Sequence, residues 1–169
     1  MIKFEKVSFE QFLKDFPKEY NYSEEEIKRI YDEIKLPKRA TKHSAGYDFF
    51  APFDLKFKFN ETLYVPSGIR CQNDEDKVLM LFPRSGLGSK NRMALNNTVG
   101  IIDSDYYYAN NEGHILGKFH FNEPGKEELT IAQGIAFMQG IFLQYFTTVD
   151  DNTEEVRTGG FGSTTKIKF

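Results

Sequence analysis

The hydrophobic positions of this 169-residue chain change their period near residue 45. Before that point, four apolar residues recur at the spacing of one helix face: Ile27, Ile30, Tyr31 and Ile34. Two serines, Ser8 and Ser23, are each followed three residues later by Gln or Glu, which is the pattern of a capping box. Pro37 cannot continue a helix. The pattern predicts a helical hairpin from about Ser8 to Leu36.

After residue 45, apolar and polar residues alternate in short runs. In DLKFKF, Leu55 and Phe57 alternate with lysines, the period of a strand with one buried face. Further apolar runs are TLYV, KVLMLF, HILGKFHF and LTIAQGIAFMQGIFLQYF, and turn signals separate them. Many short strands with regular turns predict an all-β sandwich, jelly roll or barrel. The acidic segment TTVDDNTEEV has no strand pattern and is interpreted as a tether to the glycine-dense end.

The composition favours one folded domain spanning residues 1–169, with 1–40 as an N-terminal helical extension. Hydrophobic residues make up 40% and charged residues 28%. A net charge of −3 argues against binding to a nucleic acid polymer. The single cysteine, Cys71, excludes an intrachain disulfide, and the sequence shows neither a signal peptide nor a membrane-spanning apolar run. We therefore expect a cytoplasmic protein that does not enter a membrane.

Two segments carry side chains suited to phosphate chemistry. In PRSGLGS, Arg84, Ser85 and Gly86 follow an apolar strand and combine a guanidinium, a hydroxyl and open backbone, which together suit phosphate oxygens. In DSDYYY, Asp103 and neighbouring polar residues follow another apolar run. The residues alone leave an alternative open for each segment, because Pro, Gly, Asp and Ser also form ordinary turns.

Two more segments are candidates for binding an anionic ligand. Asp48, in SAGYDFFA, stands among apolar residues and needs a partner such as Arg84 or a metal-bound water if it is buried. RTGGFGSTT combines Arg157 and Phe161 with three glycines. A solvated aspartate and a merely flexible tail are the simpler alternatives.

Taken in order, five segments resemble the motifs of the trimeric dUTPase family: AGYDFFA, PRSGLGSK, NTVGIIDSDY, GIAFMQGIF and RTGGFGST. The resemblance spans residues 45–164. It implies an all-β, jelly-roll-like (β-clip) subunit that forms a homotrimer with active sites at the subunit boundaries. Each site would hydrolyse dUTP to dUMP and pyrophosphate, with Mg²⁺ carried by the triphosphate.

The resemblance also assigns roles to residues around the phosphates. Asp103 would orient and deprotonate the water that attacks the α-phosphorus, mainly by positioning it, since a carboxylate is a weak base. Arg84, Ser85, Gly86 and Gln139 would hold the phosphate oxygens. Asp48 would contact the metal indirectly through water, or else hold Arg84; both remain open.

The resemblance also assigns the residues that would contact the base and the sugar, and those of the segment that would close over the site. Uracil would be recognised by Asn97 and by the backbone around Gly100 and Ile101, and Tyr106 would lie against the deoxyribose and exclude UTP. Residues 150–169 would be a flexible tether and C-terminal lid, usually closing over a neighbouring subunit's site. In that lid, Phe161 would stack on uracil beside Gly162, while Arg157 and Ser163 meet the terminal phosphates.

The chain departs from the family pattern at three places. Tyr108 stands where the family has Gly after the catalytic Asp, so residues 108–112 are interpreted as an insertion that lengthens the uracil loop. The fourth motif lacks its usual basic residue. The helical extension has no counterpart in the family pattern, so it would cover a trimer edge or dock an unknown protein partner.

Two other functions are compatible with parts of the pattern. A dCTP deaminase resembles dUTPases in fold, but that group relies on a glutamate and lacks the Phe-bearing glycine tail in this form. A regulatory protein that uses the nucleotide as a switch is the second alternative, with the helices as its partner surface.

Overall fold

The computed structural model describes residues 1–157 and Gly159. The helices are α1 (Phe9–Asp15), α2 (Glu24–Glu33) and α3 (Ser85–Asn91), with 3₁₀ turns at Lys18–Tyr20 and Ser104–Tyr108. The strands are β1 (Lys3–Lys6), β2 (Lys38–Arg39), β3 (Tyr47–Phe50), β4 (Leu55–Lys58), β5 (Leu63–Pro66), β6 (Ile69–Gln72), β7 (Lys77–Pro83), β8 (Ala94–Leu95), β9 (Gly100–Ile102), β10 (Leu116–His120), β11 (Glu128–Ile131) and β12 (Ala136–Gln144).

These strands form antiparallel sheets, which confirms the predicted all-β class. The largest sheet has five strands in the order β2-β3-β12-β7-β9. A second sheet has the order β5-β10-β8, and two strand pairs, β1-β6 and β11-β4, complete the β structure of the described residues. The many short strands and crossing connections agree with a jelly-roll-like subunit.

The registers of the five-stranded sheet fix which residues lie side by side. On β12, Gln139 pairs with Asp48 of β3 and with Phe82 of β7. On the other side of β7, Leu79 pairs with Ile102 and Leu81 pairs with Gly100. The sheet therefore brings the first, second and fourth motif segments to one end of β7 and Asp103 to the other.

The core is built largely from phenylalanine. The fully buried phenylalanines are Phe12, Phe49, Phe53, Phe57, Phe119, Phe121 and Phe137. On β4, Leu55 and Phe57 are buried while the intervening lysines are exposed, as the period-two pattern predicted. Phe12 comes from the N-terminal extension, so the extension shares the core of the β domain.

The N-terminal extension contains the two helices of the predicted hairpin, within the expected range of Ser8 to Leu36. At α2, Ser23 forms the complete capping box with Glu26. At α1, Ser8 Oγ accepts from the Gln11 amide at 3.1 Å, but the Gln11 side chain donates to Asp15 Oδ2. The reciprocal half of this box is missing because Glu112 accepts from the Ser8 amide.

Two further elements were absent from the sequence prediction. β1 precedes the helices and pairs with β6, and the segment after Arg84 forms α3 where an open glycine loop was expected. Among the described residues, no helix has the length and apolar character needed to span a bilayer.

Candidate functional site

Three of the predicted phosphate-site residues meet at one end of β7. The Arg84 Nη1 donates to Asp48 Oδ1 at 2.6 Å, and Asp48 is buried. Gln139, paired with Asp48 across β3 and β12, donates from Nε2 to the Pro83 carbonyl at 3.4 Å. Of the two roles left open for Asp48, the contact with Arg84 is present in the structure. A buried carboxylate requires such a partner.

Ser85 and Gly86 lie at the start of α3, directly beyond this ion pair. Arg84 is the N-cap residue, and its carbonyl accepts from the Gly88 amide at 2.9 Å. Two glycines disfavour a helix by about 1 kcal/mol each, and the packing of Leu87 against the core compensates. A Cβ at Gly86 would meet nothing within 4 Å. The backbone at this position is therefore accessible to a ligand.

A second cluster surrounds Asp103, immediately after β9. Arg157 donates from Nη2 to Asp103 Oδ2 at 2.5 Å and from Nε to Asp105 Oδ1 at 2.8 Å. Both carboxylates are about half exposed, at 45% and 50%, whereas the Arg157 side chain is 17% exposed. The guanidinium thus bridges two carboxylates that solvent also reaches.

Tyr106 lies beneath this guanidinium and is held by the chain around it. The Arg157 Cζ is 5.9 Å from the Tyr106 ring centroid. The Tyr106 hydroxyl donates to the His114 carbonyl at 2.7 Å and accepts from Asn111 Nδ2 at 2.8 Å. Burial raises the pKa of Tyr106, so the hydroxyl stays protonated and donates at neutral pH.

Residues 108–112, interpreted from the sequence as an insertion in the uracil loop, contact the N-terminal extension. Glu112 accepts from the Ser8 amide at 2.7 Å and from Ser8 Oγ at 2.6 Å. Gly113 ends the insertion with φ +69°, and a Cβ there would lie 2.7 Å from the Tyr106 carbonyl oxygen. The insertion therefore folds back under Tyr106 and away from the cavity described next.

A cavity of about 450 Å³ lies between the five-stranded and three-stranded sheets. Two of the predicted uracil contacts, Asn97 and Gly100, line it, together with apolar side chains from both sheets, including Tyr64, Leu95, Leu116 and Met138. Ile101 is 49% exposed because alternate residues of β9 face opposite sides. An apolar slot with an amide and open backbone at its edge suits a flat heterocycle.

Arg84 and Asp103 lie far apart within one chain. Leu79 pairs with Ile102, the residue before Asp103, and is five positions before Arg84. Because a strand rises ~3.3 Å per residue, the backbones of Leu79 and Arg84 are roughly 17 Å apart. Asp103 therefore cannot share one phosphate group with Arg84 of the same chain. The two predicted halves of the site are separate surfaces of the subunit.

Three predicted contacts, Phe161, Gly162 and Ser163, lie outside the described residues. The described residues contain no group of three or more His, Cys, Asp or Glu side chains placed to hold a metal ion.

Comparison with known proteins places these features in one family. A family model for dUTPase matches residues 32–165. The deoxyuridine 5'-triphosphate nucleotidohydrolase of Lactococcus lactis subsp. lactis (strain IL1403) is 38% identical over 135 residues, covering 78% of this chain and 88% of that protein. The enzyme of the same name from Hahella chejuensis (strain KCTC 2396) is 38% identical over 145 residues, covering 81% of this chain and 91% of that protein.

Solved structures show the same fold. The dUTPase from Streptococcus mutans superposes with a TM-score of 0.63 at 29% identity, covering 86% of this chain and 97% of that chain. A mutant dUTPase from phage phi11 of S. aureus, which coordinates a structural Mg(II) ion, superposes with a TM-score of 0.61 at 17% identity, covering 92% of this chain and 97% of that chain.

Proposed function

This chain belongs to the dUTPase family, whose enzymes hydrolyse dUTP to dUMP and pyrophosphate, and we propose that it does so with Asp103 as the catalytic carboxylate. The observation that carries this proposal is the position of Asp103. It follows β9, the strand that also lines the cavity at Gly100, so one strand serves both the base and the reacting phosphate.

Asp103 would hold and deprotonate the water that attacks the α-phosphorus. Its side chain is 45% exposed, so water reaches the carboxylate. Attack forms a new bond from the water oxygen to the α-phosphorus and breaks the bond to the bridging oxygen of the leaving pyrophosphate. Positioning of the water supplies most of the effect, because a carboxylate is a weak base.

The cavity between the sheets would take the uracil base. Asn97 offers an amide donor and acceptor, and Gly100 offers backbone without a side chain. Uracil presents an acceptor at O4 and a donor at N3, and cytosine reverses both, which would leave polar groups of the cavity unpaired. Tyr106 would lie against the deoxyribose, where a 2′-hydroxyl has no room.

Arg84, Ser85, Gly86 and Gln139 would hold the phosphate chain. Asp48 orients the Arg84 guanidinium through the 2.6 Å contact, and a charge-assisted pair of this kind is about twice as strong as a neutral hydrogen bond. The donors available to a metal are carboxylate oxygens, which suits Mg²⁺. Asp48 is the residue that would meet a metal-bound water, and bound Mg²⁺ would neutralise phosphate charge.

We further propose a homotrimer in which each site combines residues of different subunits. The support is the roughly 17 Å between the two ends of β7, at ~3.3 Å per residue, which keeps Arg84 and Asp103 of one chain apart. In a cyclic trimer of this kind, the Arg84 end of one subunit would meet the Asp103 end of the next. The site is incomplete without this second copy.

The C-terminal segment would close the site after dUTP has bound. Arg157 would exchange the carboxylates of Asp103 and Asp105 for the terminal phosphates, which carry more negative charge. Phe161 would stack on uracil with Gly162 beside it, and stacking of a base on an aromatic ring stabilises a complex by roughly 1–3 kcal/mol. Ser163 would meet the phosphates. Opening of this segment would release the products.

The test is pyrophosphate release from dUTP, compared with dTTP, dCTP and UTP, with Mg²⁺ and with a chelator. We expect hydrolysis of dUTP alone, strongly reduced by chelator. Ammonia release from dCTP would instead indicate a deaminase. Tight dUTP binding without turnover would indicate a nucleotide-controlled regulatory protein.

We also propose that the protein works in a reducing compartment such as the cytoplasm. Cys71 is a buried free thiol, and burial raises its pKa to about 12. A buried, protonated thiol neither needs nor readily forms a disulfide.

A further inference from the structure

The N-terminal extension contacts residues 107–114 next to the 3₁₀ turn Ser104–Tyr108 that follows Asp103, called the Asp103 loop below. Ser8 donates from its amide and hydroxyl to Glu112, at 2.7 and 2.6 Å. Asp15 Oδ2 lies 2.7 Å from His114 Nδ1, and the Tyr107 hydroxyl donates to Glu5. Three contacts thus join residues about a hundred positions apart in the sequence.

His114 is the centre of this contact and is completely buried. Its Nε2 accepts from the Gly68 amide at 2.8 Å and therefore carries no hydrogen. The ring hydrogen must then sit on Nδ1, where it is donated to Asp15. Asp15 is itself held by Gln11, whose Nε2 donates to Oδ2 at 2.6 Å. The tautomer and orientation of the ring are both fixed.

The backbone of His114 connects this fixed ring to the Asp103 loop. Its carbonyl accepts the Tyr106 hydroxyl at 2.7 Å. Tyr106 in turn donates from its amide to the Asp103 carbonyl at 3.2 Å, within the 3₁₀ turn that follows the catalytic aspartate. The chain of contacts therefore runs from Asp15 through His114 to Tyr106 and ends at the backbone of Asp103.

We infer that Asp15 and His114 are positioning residues for dUTP hydrolysis, through which the N-terminal extension holds Tyr106 and the Asp103 loop in their working geometry. This inference rests on the proposed function. The extension up to residue 31 lies outside the region matched by the family model. These contacts also give the extension a role within its own chain.

The first experiment compares Asp15→Ala with Ser23→Ala. Ser23→Ala removes the α2 capping box, which costs about 1 kcal/mol of stability. This variant therefore destabilises the same extension, but Ser23 caps α2 and does not belong to the contacts with residues 103–114. We expect Asp15→Ala to lower the ratio of kcat/KM for dUTP over UTP by about 10-fold, because a small displacement of a positioned group is costly. We expect Ser23→Ala to leave the ratio unchanged, and Asp15→Asn, which keeps an acceptor oxygen, to restore most of it.

The second experiment measures hydrogen exchange of the amides of residues 103–114 in the same proteins, which needs no turnover. Exchange should quicken in Asp15→Ala and stay at the wild-type rate in Ser23→Ala. An unchanged exchange rate in Asp15→Ala, or equal effects of both variants on the ratio, overturns the inference. If the wild-type protein does not hydrolyse dUTP, the proposed function is contradicted instead. The exchange rates then still show whether Asp15 holds residues 103–114 in place. If Asp15→Ala does not fold, Gln11→Ala supplies the same comparison.

Discussion

Arg157 donates a 2.5 Å hydrogen bond from Nη2 to Asp103 Oδ2 within the same chain. The contact occupies an oxygen of the carboxylate that the proposed mechanism uses as the base. Arg157 also reaches Asp105, so it bridges two acidic groups. A dUTP triphosphate competes with them for the guanidinium, since Arg pairs strongly with phosphate oxygens. Substrate binding would therefore free Asp103 and recruit Arg157 in a single exchange.

Replacing Arg157 should impair the reaction more than the loss of one positive charge explains. We expect Arg157→Ala to lower kcat/KM for dUTP by about 10- to 100-fold, the scale of a hydrogen bond to a charged group. Arg157→Lys should recover only part of this, because an ammonium cannot bridge two groups in the same way. Initial rates of pyrophosphate release over a range of dUTP concentrations give the values.

The matched control for that prediction is Arg29→Ala, which removes the same charge from the exposed side of α2. It should leave kcat/KM unchanged. Equal losses in the two variants would attribute the effect to the overall charge of the protein and contradict a specific role for Arg157.

Gly113 should be far less replaceable than Gly125, although both have positive φ. Their φ values are +69° and +81°, but only at Gly113 does a Cβ meet backbone, 2.7 Å from the Tyr106 carbonyl oxygen. Gly125→Ala should cost about 1 kcal/mol of conformational strain. Gly113→Ala should cost a further ~1–3 kcal/mol, because the loop under Tyr106 must shift.

Urea unfolding of both glycine variants at one protein concentration measures these costs. Gly113→Ala should also reduce dUTP turnover, while Gly125→Ala should not. Equal unfolding free energies for the two variants would show that the backbone approach at Gly113 carries no strain.

Docking of the extension should weaken in acid through Asp15. Burial raises the pKa of Asp15, but hydrogen bonds from His114 and Gln11 outweigh it and hold the pKa below its ordinary value. A depressed pKa in the folded state stabilises the protein at pH values above the ordinary carboxyl range. That stability is lost as pH falls through the folded-state pKa, below about pH 4.

The comparison of wild type with Asp15→Asn isolates this effect. The difference in unfolding free energy between them should be largest near neutral pH and should shrink as the pH falls below about 4. A difference that is constant from pH 7 to pH 3 would assign it to packing and not to the ionised carboxylate.

The sequence predicted those features that depend on neighbouring residues. The Ser23 capping box and the buried face of β4 follow from spacing alone, and both are present. The five motif segments predicted the family because their order and separation are together specific. The candidate residues Asp48 and Arg84 were predicted separately, with their pairing as one of two alternatives, and they form an ion pair.

The features that escaped prediction depend on contacts between distant segments. The segment after Arg84 forms α3 despite its glycines, because Leu87 packs against the core. No local pattern links Ser8 to Glu112, which are 104 residues apart. Only the folded structure shows that residues 108–112, interpreted from the sequence as an insertion, contact the extension through Glu112.

Mixing two inactive variants tests whether Arg84 and Asp103 of different subunits form each site. Arg84→Ala and Asp103→Asn should each be nearly inactive. Asp103→Asn should lower kcat by about 10²- to 10⁴-fold, the scale of general-base catalysis. When equal amounts are unfolded and refolded together, sites that pair an intact Arg84 with an intact Asp103 from a neighbour form at random in about a quarter of cases. We therefore expect about a quarter of wild-type dUTP hydrolysis from the mixture. Asp103→Asn refolded with Asp103→Asn,Arg84→Ala is the control and should remain inactive. A mixture that regains nothing, although the variants co-assemble, would show that both residues act from the same chain.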